Sequence, residues 1–128
     1  MSVLVDTFGW IEWLVDGRLA NKYEPYLSDS DNLIVPTCIQ FELYKWAKQE
    51  RSETAALETI ALTEQAEVVP ITTSISLVAA DFALEHKLSF PDALIYAAAQ
   101  KMDAELISSE ECFEHLPGVI FHSKQLFR

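Results

Sequence analysis

Short apolar runs alternate with segments of helical spacing along the whole chain. Val3-Leu4-Val5 halts at Asp6-Thr7, and Phe8 to Val15 then place Ile11, Leu14 and Val15 at helical intervals, which predicts strand, turn and helix. Leu33-Ile34-Val35-Pro36 opens the same unit again, with Thr37 as a candidate N-cap and a helix through Arg51 that carries Ile39, Leu43, Trp46 and Ala47 on roughly one stripe. A further helix is predicted from Ser52 or Glu53 to Gln65, with Ala56, Leu57, Ile60 and Ala61 inward, followed by an extended run from Glu67 to Ile71. Thr73 or Ser74 is expected to cap another helix to about Lys87. Ser89-Phe90-Pro91-Asp92 has the form of a helix start, with proline in the first turn and an acid near the positive end of the dipole. That helix, the most apolar of the set, runs to about Met102, and Glu105–Ser108 and Val119–Phe121 are the last strand candidates.

Short apolar strands alternating with helices imply parallel pairing, because parallel strands need crossover connections and bury both faces. The expected architecture is a three-layer α/β/α sandwich around a central, mostly parallel sheet of about five strands. In such sheets the site lies beyond the carboxyl ends of the strands, near the change in strand order. The residues to inspect are therefore Asp6, the segment after Pro36, Thr72, and Ser108 onward.

Composition narrows the classes. The 128 residues, half of them hydrophobic and few of them glycine or proline, suit one folded domain spanning 1–128 that needs no disulfide staples. Apolar runs are too short to cross a bilayer and the N-terminus lacks the form of a signal peptide, so no membrane partner and a cytoplasmic location are expected. Cys38 and Cys112 show no metal or disulfide spacing and read as buried or incidental. Twenty acidic residues against nine basic ones give a net charge of −11, which opposes non-specific capture of a polyanion but suits a basic partner or a site that gathers cations.

Several familiar chemistries are excluded. The turn after the first strand lacks dinucleotide-binding glycines, no Gly-x-x-x-x-Gly-Lys loop occurs, and His86, His115 and His122 lack a recognisable nucleophile motif. A receiver or phosphatase domain using Asp6 would need a second aspartate two residues on and an acceptor after the third strand, where Pro70-Ile71-Thr72-Thr73 stands instead. What remains is a set of acids placed where the fold would gather them: Asp6 after the first strand, Glu42 within the helix after the second, Asp92 opening the apolar helix and Glu110 after the fourth strand. Each has a plain structural alternative. Asp6 would cap the following helix, Glu42 would pair with Lys45 or Lys48 on its own helix, and Asp92 would serve the helix dipole for about 0.5–1 kcal/mol. Carboxylates converging on one cleft repel each other, however, and are tolerated chiefly around a divalent cation. With oxygen donors only, Mg²⁺ or Mn²⁺ fits better than zinc.

Val3-Leu4-Val5-Asp6-Thr7, Phe41-Glu42-Leu43, Phe90-Pro91-Asp92-Ala-Leu-Ile-Tyr-Ala-Ala-Ala99 and Leu106-Ile-Ser108-Ser109-Glu110, with Phe113 behind it, together resemble the PIN-domain nucleases, particularly the toxins of VapBC-type toxin–antitoxin pairs. The resemblance spans essentially the whole chain, and its Pro-Asp-Ala-Leu-Ile block is the most specific part. It implies a PIN-like fold and metal binding by Asp6, Glu42 and Asp92, with Thr7 and Ser108 as hydroxyls lining the site. It implies an endoribonuclease that leaves a 3′-hydroxyl and a 5′-phosphate, an antitoxin partner, and a homodimer. Ser108-Ser109-Glu110 departs from the family's usual threonine, one residue, aspartate; the acid is one methylene longer, so whether Glu110 joins the other acids as a ligand, and whether one metal is held or two, stays open.

Lys45, Lys48 and Arg51 share the helix of Glu42 and offer either a basic edge for RNA phosphates or a solvated face. Of Trp10, Trp13, Tyr23, Tyr26 and Trp46, most are expected in the core and some at a dimer or antitoxin interface. The rival reading is a catalytically degenerate PIN-like domain that serves as a protein-interaction module.

Overall fold

The computed structural model describes residues 1–125. Five strands, β1 (Val3–Val5), β2 (Leu33–Pro36), β3 (Glu67–Val69), β4 (Glu105–Ser108) and β5 (Val119–Phe121), form one sheet in the order β3-β2-β1-β4-β5, and every pairing is parallel. Six helices supply the layers: α1 (Thr7–Leu14), α2 (Ala20–Leu27), α3 (Thr37–Glu50), α4 (Glu53–Thr63), α5 (Thr73–His86) and α6 (Phe90–Lys101). The expected α/β sandwich is thus observed. β1 and β2 contain no polar residue, and β4 is apolar between Glu105 and Ser108, because both faces of these strands are covered; Leu4, Val5, Val35, Leu106 and Ile107 are fully buried. No helix among the described residues is long and apolar enough to cross a membrane.

Strand order sets the site. The chain works outward from β1 through β2 to β3, then α5 and α6 carry it back across the sheet so that β4 lies against the other edge of β1. At that reversal the helices after β1 and β4 diverge and leave a crevice at the carboxyl ends of the two strands. Val5 stands opposite Ile107 in the ladder, and the Asp6 amide donates to the Ile107 carbonyl at 3.2 Å, so Asp6 and Ser108 leave the sheet side by side.

Helix α6 is not the most apolar, since α1, α4 and α5 exceed it, but it is the most enclosed: every residue from Ala93 to Ala99 is buried, and its alanines let the helix lie close on the sheet. Ser89 caps it, its hydroxyl accepting from the Asp92 amide at 3.4 Å. Tyr96 finds a partner for its hydroxyl by donating to the Pro117 carbonyl at 2.8 Å.

Four further local expectations are corrected. Helix α2 was not expected; it has no side-chain cap and carries Pro25 inside it, but Ala20, Tyr23 and Leu27 fall on one buried stripe, and packing holds it. In α4 the inward stripe is Ala56, Thr59 and Thr63, while Leu57 is 56% exposed and Ala61 is also exposed; the helix meets α3 along a narrow seam. Thr72, one residue earlier than expected, caps α5 by accepting from the Ile75 amide at 3.2 Å. Pro36 stands at the N-cap position of α3, and Thr37, already helical, accepts from the Ile71 amide at 3.2 Å, tying α3 to the chain beyond β3.

Candidate active site

Asp6 caps α1 as the plain structural reading expects, and that role fixes its buried carboxylate at the end of β1, within the field of acids that line the crevice. Oδ1 accepts from the Gly9 amide at 3.0 Å, while Oδ2 accepts from the Ser108 hydroxyl at 2.5 Å. The Ser108 oxygen in turn accepts from the Glu110 amide at 2.9 Å, so one hydroxyl ties the end of β1 to the turn after β4. Asp6 is only 2% exposed. Burial raises its pKa from 3.8 to about 6; the bonds from Ser108 and Gly9 oppose that rise, and the charges of Glu110 and Asp92 add to it.

Asp92 enters the same crevice from the first turn of α6, half-buried, with Cys112 Sγ 3.5 Å from its Oδ2. Glu110, at the head of the short 3₁₀ turn Glu111–Phe113, is half-buried and faces Lys124, whose Nζ lies 3.5 Å from Oε2. The crevice has a volume of about 820 Å³ and is lined by Asp92, Ser109, Glu110, Glu111, Glu114 and Lys124, among others. Of the other three predicted acids, Asp92 and Glu110 therefore act on Asp6 through their charges.

Glu42 stands apart on α3. It accepts from the Thr7 hydroxyl and does not pair with Lys45 or Lys48, contrary to its plain reading. Thr7, Glu42 and Lys45, with Phe41, Trp46 and Gln49, line a smaller groove of about 290 Å³ beside α1. Thr7 adjoins Asp6 in sequence and reaches Glu42 in space, and so joins the two. Among the described residues no group of three or more His, Cys, Asp or Glu side chains stands close enough to hold a metal ion between them. Lys48 and Arg51 lie over the Tyr44 and Trp46 rings, at 5.6 and 5.9 Å from their centroids.

A family model described as the PIN domain matches residues 3–119, which contain every one of these acids. The chain belongs to the PIN domain family. No curated protein matches it in sequence. Among solved structures it is similar to a toxin–antitoxin complex from Klebsiella pneumoniae, with 26% identity, a TM-score of 0.80, and coverage of 95% of this chain and 99% of that one. A DNA-bound VapBC from Salmonella typhimurium shares the fold at 14% identity and a TM-score of 0.76, covering 96% and 98% of the two chains. So does a sarcin–ricin-loop-cleaving VapC toxin of Mycobacterium tuberculosis, at 17% identity and a TM-score of 0.68, covering 81% and 85%.

This PIN domain also holds residues at the crevice that the motifs did not single out. Tyr23 of α2 is fully buried, and its hydroxyl lies 2.5 Å from Ser109 Oγ; burial, and secondarily the charges of Asp6, Glu110 and Glu12, push its pKa upward, while the Ser109 bond opposes them. Cys112 is exposed, not buried, yet desolvation and then the Asp92 charge push its thiol up to about 12, so it is a poor nucleophile. The signal that could have found Tyr23 is its helical spacing with Ala20 and Leu27, which the sequence reading passed over. Cys112 and Lys124 had no comparable signal, because a lone cysteine among acids and a lone lysine after the last strand carry no local pattern.

Proposed function

We propose that this PIN domain is a Mg²⁺- or Mn²⁺-dependent endoribonuclease and the toxin of a type II toxin–antitoxin module. The observation that carries the reading is the buried Asp6 carboxylate, fixed at the strand-order reversal and raised to about 6 by burial and by the charges of Glu110 and Asp92. A divalent cation would remove that penalty. The donor set is all oxygen, which suits Mg²⁺ or Mn²⁺. Mg²⁺ keeps several waters and takes one or two carboxylates in place of a full protein cage, so it does not require three acids in contact with it.

Asp6, with both oxygens tied at one lone pair each, would hold the ion from the floor of the crevice, and Asp92 and Glu110 from its rim. Glu42 would act across Thr7, directing that hydroxyl and ligands on the α1 side. When bound, the cation supplies Lewis-acid neutralisation of phosphate charge and acidifies water. Asp92, open to solvent on one side, accepts the proton of an attacking water. The water oxygen bonds to phosphorus, the P–O3′ bond breaks, and O3′ takes up a proton, leaving a 3′-hydroxyl and a 5′-phosphate. Thr7, Ser108 and Lys45 line or flank the path of the strand.

An antitoxin partner belongs to the same reading, supported by the likeness to a toxin–antitoxin complex, and a homodimer is what the motif resemblance implies. A basic antitoxin segment would complement the acidic crevice. The second reading, a non-catalytic interaction module, is favoured by the absence of a three-residue metal cluster among the described residues. Incubating purified protein with small RNA and Mg²⁺ or Mn²⁺, beside an EDTA control and Asp92→Asn, separates them. Metal-dependent cleavage lost in the variant upholds the nuclease; folded, antitoxin-free protein that cleaves no RNA with either metal leaves the interaction module. Sedimentation of the chain alone checks the homodimer, which a stable monomer at micromolar concentration would rule out.

A further inference from the structure

The segment after β5 runs back along the mouth of the crevice and is pinned there. The His122 amide donates to the Ser108 carbonyl at 2.8 Å, the His122 ring lies 6.0 Å from both Tyr23 and Tyr26, and Arg18 Nη2 donates to the Lys124 carbonyl at 3.3 Å. With its backbone so placed, Lys124 directs its ammonium between two elements of the site. Nζ is 3.5 Å from Glu110 Oε2 and 4.3 Å from the centroid of the Phe8 ring, in the first turn of α1.

Four carboxylates line this crevice, from Asp92, Glu110, Glu111 and Glu114, and Lys124 is the only cation lining it among the described residues. In a chain of net charge −11 an approaching polyanion is repelled nearly everywhere on this surface. Lys124 interrupts the repulsion at the place where the acids meet. An ammonium has three donors, and one faces Glu110 while the Phe8 ring holds the charge without using an N–H. The pair with Glu110 is exposed, so bringing a phosphate beside it disturbs little.

We propose that Lys124 is a substrate-binding residue whose ammonium, positioned by Phe8 and Glu110, takes a backbone phosphate of the RNA next to the scissile bond. This rests on the nuclease reading above. It also gives Glu110 a role that its extra methylene fits: carrying the lysine, whether or not it touches metal.

The test separates binding from cleavage. A labelled single-stranded RNA is titrated in EDTA, followed by fluorescence anisotropy over a range of salt, with wild type, Lys124→Met and Lys124→Arg, each checked for an unchanged circular dichroism melt. Lys124→Met should weaken binding about tenfold and lower the slope of log K against log salt by about 0.7, as expected for one lost phosphate contact to a single strand. Lys124→Arg should restore most of both. With Mg²⁺, KM should rise more than kcat falls. Unchanged affinity and slope in Lys124→Met overturn the proposal, as do tighter binding or faster cleavage, which would make the lysine a plug. Wild type that cleaves while Lys124→Met leaves KM unmoved sinks Lys124 alone. Binding that depends on Lys124 without metal-dependent cleavage sinks the nuclease and leaves the contact standing, and wild type that neither binds nor cleaves sinks both.

Discussion

The floor and the rim of the crevice carry the same chemical groups under opposite conditions. On the floor, Asp6, Ser108, Ser109 and Tyr23 are buried and bonded to one another or to backbone amides, and each hydroxyl has a partner. On the rim, Asp92 and Glu110 are half-buried, with single longer contacts to Cys112 and Lys124 at 3.5 Å. Burial on the floor makes the geometry rigid and the ionised state costly; exposure on the rim leaves charge cheap and position adjustable. Under the nuclease reading this difference is a division of labour: the floor would set where a cation or phosphate sits, and the rim would adapt to what arrives.

The largest expected effect comes from removing the floor charge. Asp6→Asn should lower RNA cleavage by about 10²–10⁴-fold with the fold intact by circular dichroism; near-wild-type activity would shift the anchoring role to the rim. The same variant tests the cost of burial. Asp6 titrates at about 6 in the folded protein against 3.8 for an ordinary aspartate. The folded value is the higher one, so the stability from its protonated form is complete below about pH 4 and is lost as pH rises through the folded value. Metal-free protein should therefore lose on the order of 3 kcal/mol between pH 4 and pH 7.5 from this group. Denaturant melts in EDTA should show that loss removed in Asp6→Asn, and an unchanged slope would break the link between burial and charge.

Smaller changes probe the bonds beneath. A Cβ on Gly9 would stand 2.5 Å from Tyr23 Cε1 and 2.6 Å from Val5 Cγ1, neither of which has room to move. Gly9→Ala should cost about 1–3 kcal/mol by overpacking and reduce activity through displaced Tyr23, read from melts and cleavage together. Tyr23→Phe leaves Ser109 short of a buried partner and should cost about 1 kcal/mol. On the rim, Cys112→Ala should shift stability by less than about 0.5 kcal/mol; a loss as large as that of Tyr23→Phe would erase the distinction between the two regions.

The strands and most helices were legible because local rules agree there. β1 and β2 are unbroken apolar runs, and Ser89-Phe-Pro-Asp92 carries its start signal within four residues. Helix α2 was not, since Pro25 sits inside it and only the buried side of Tyr23 reveals why it forms. Likewise Leu57 and Ala61 fit an apolar stripe in α4 that packing against α3 did not select.

The acids themselves divide the same way. The chain alone determined that Asp6, Glu42, Asp92 and Glu110 follow strands or open helices, because strand ends and caps are short-range features and the PIN-domain motifs hold them. Only the tertiary structure decided their grouping. The return of β4 to the far side of β1 is a long-range pairing, and it brings Asp6, Asp92 and Glu110 into one field while Glu42 bonds to Thr7 beside them. Lys124 reaches Glu110 and Phe8 by the same route, through a strand pairing. No residue near it in sequence shows where its ammonium goes, since that depends on which strand lies next to β4.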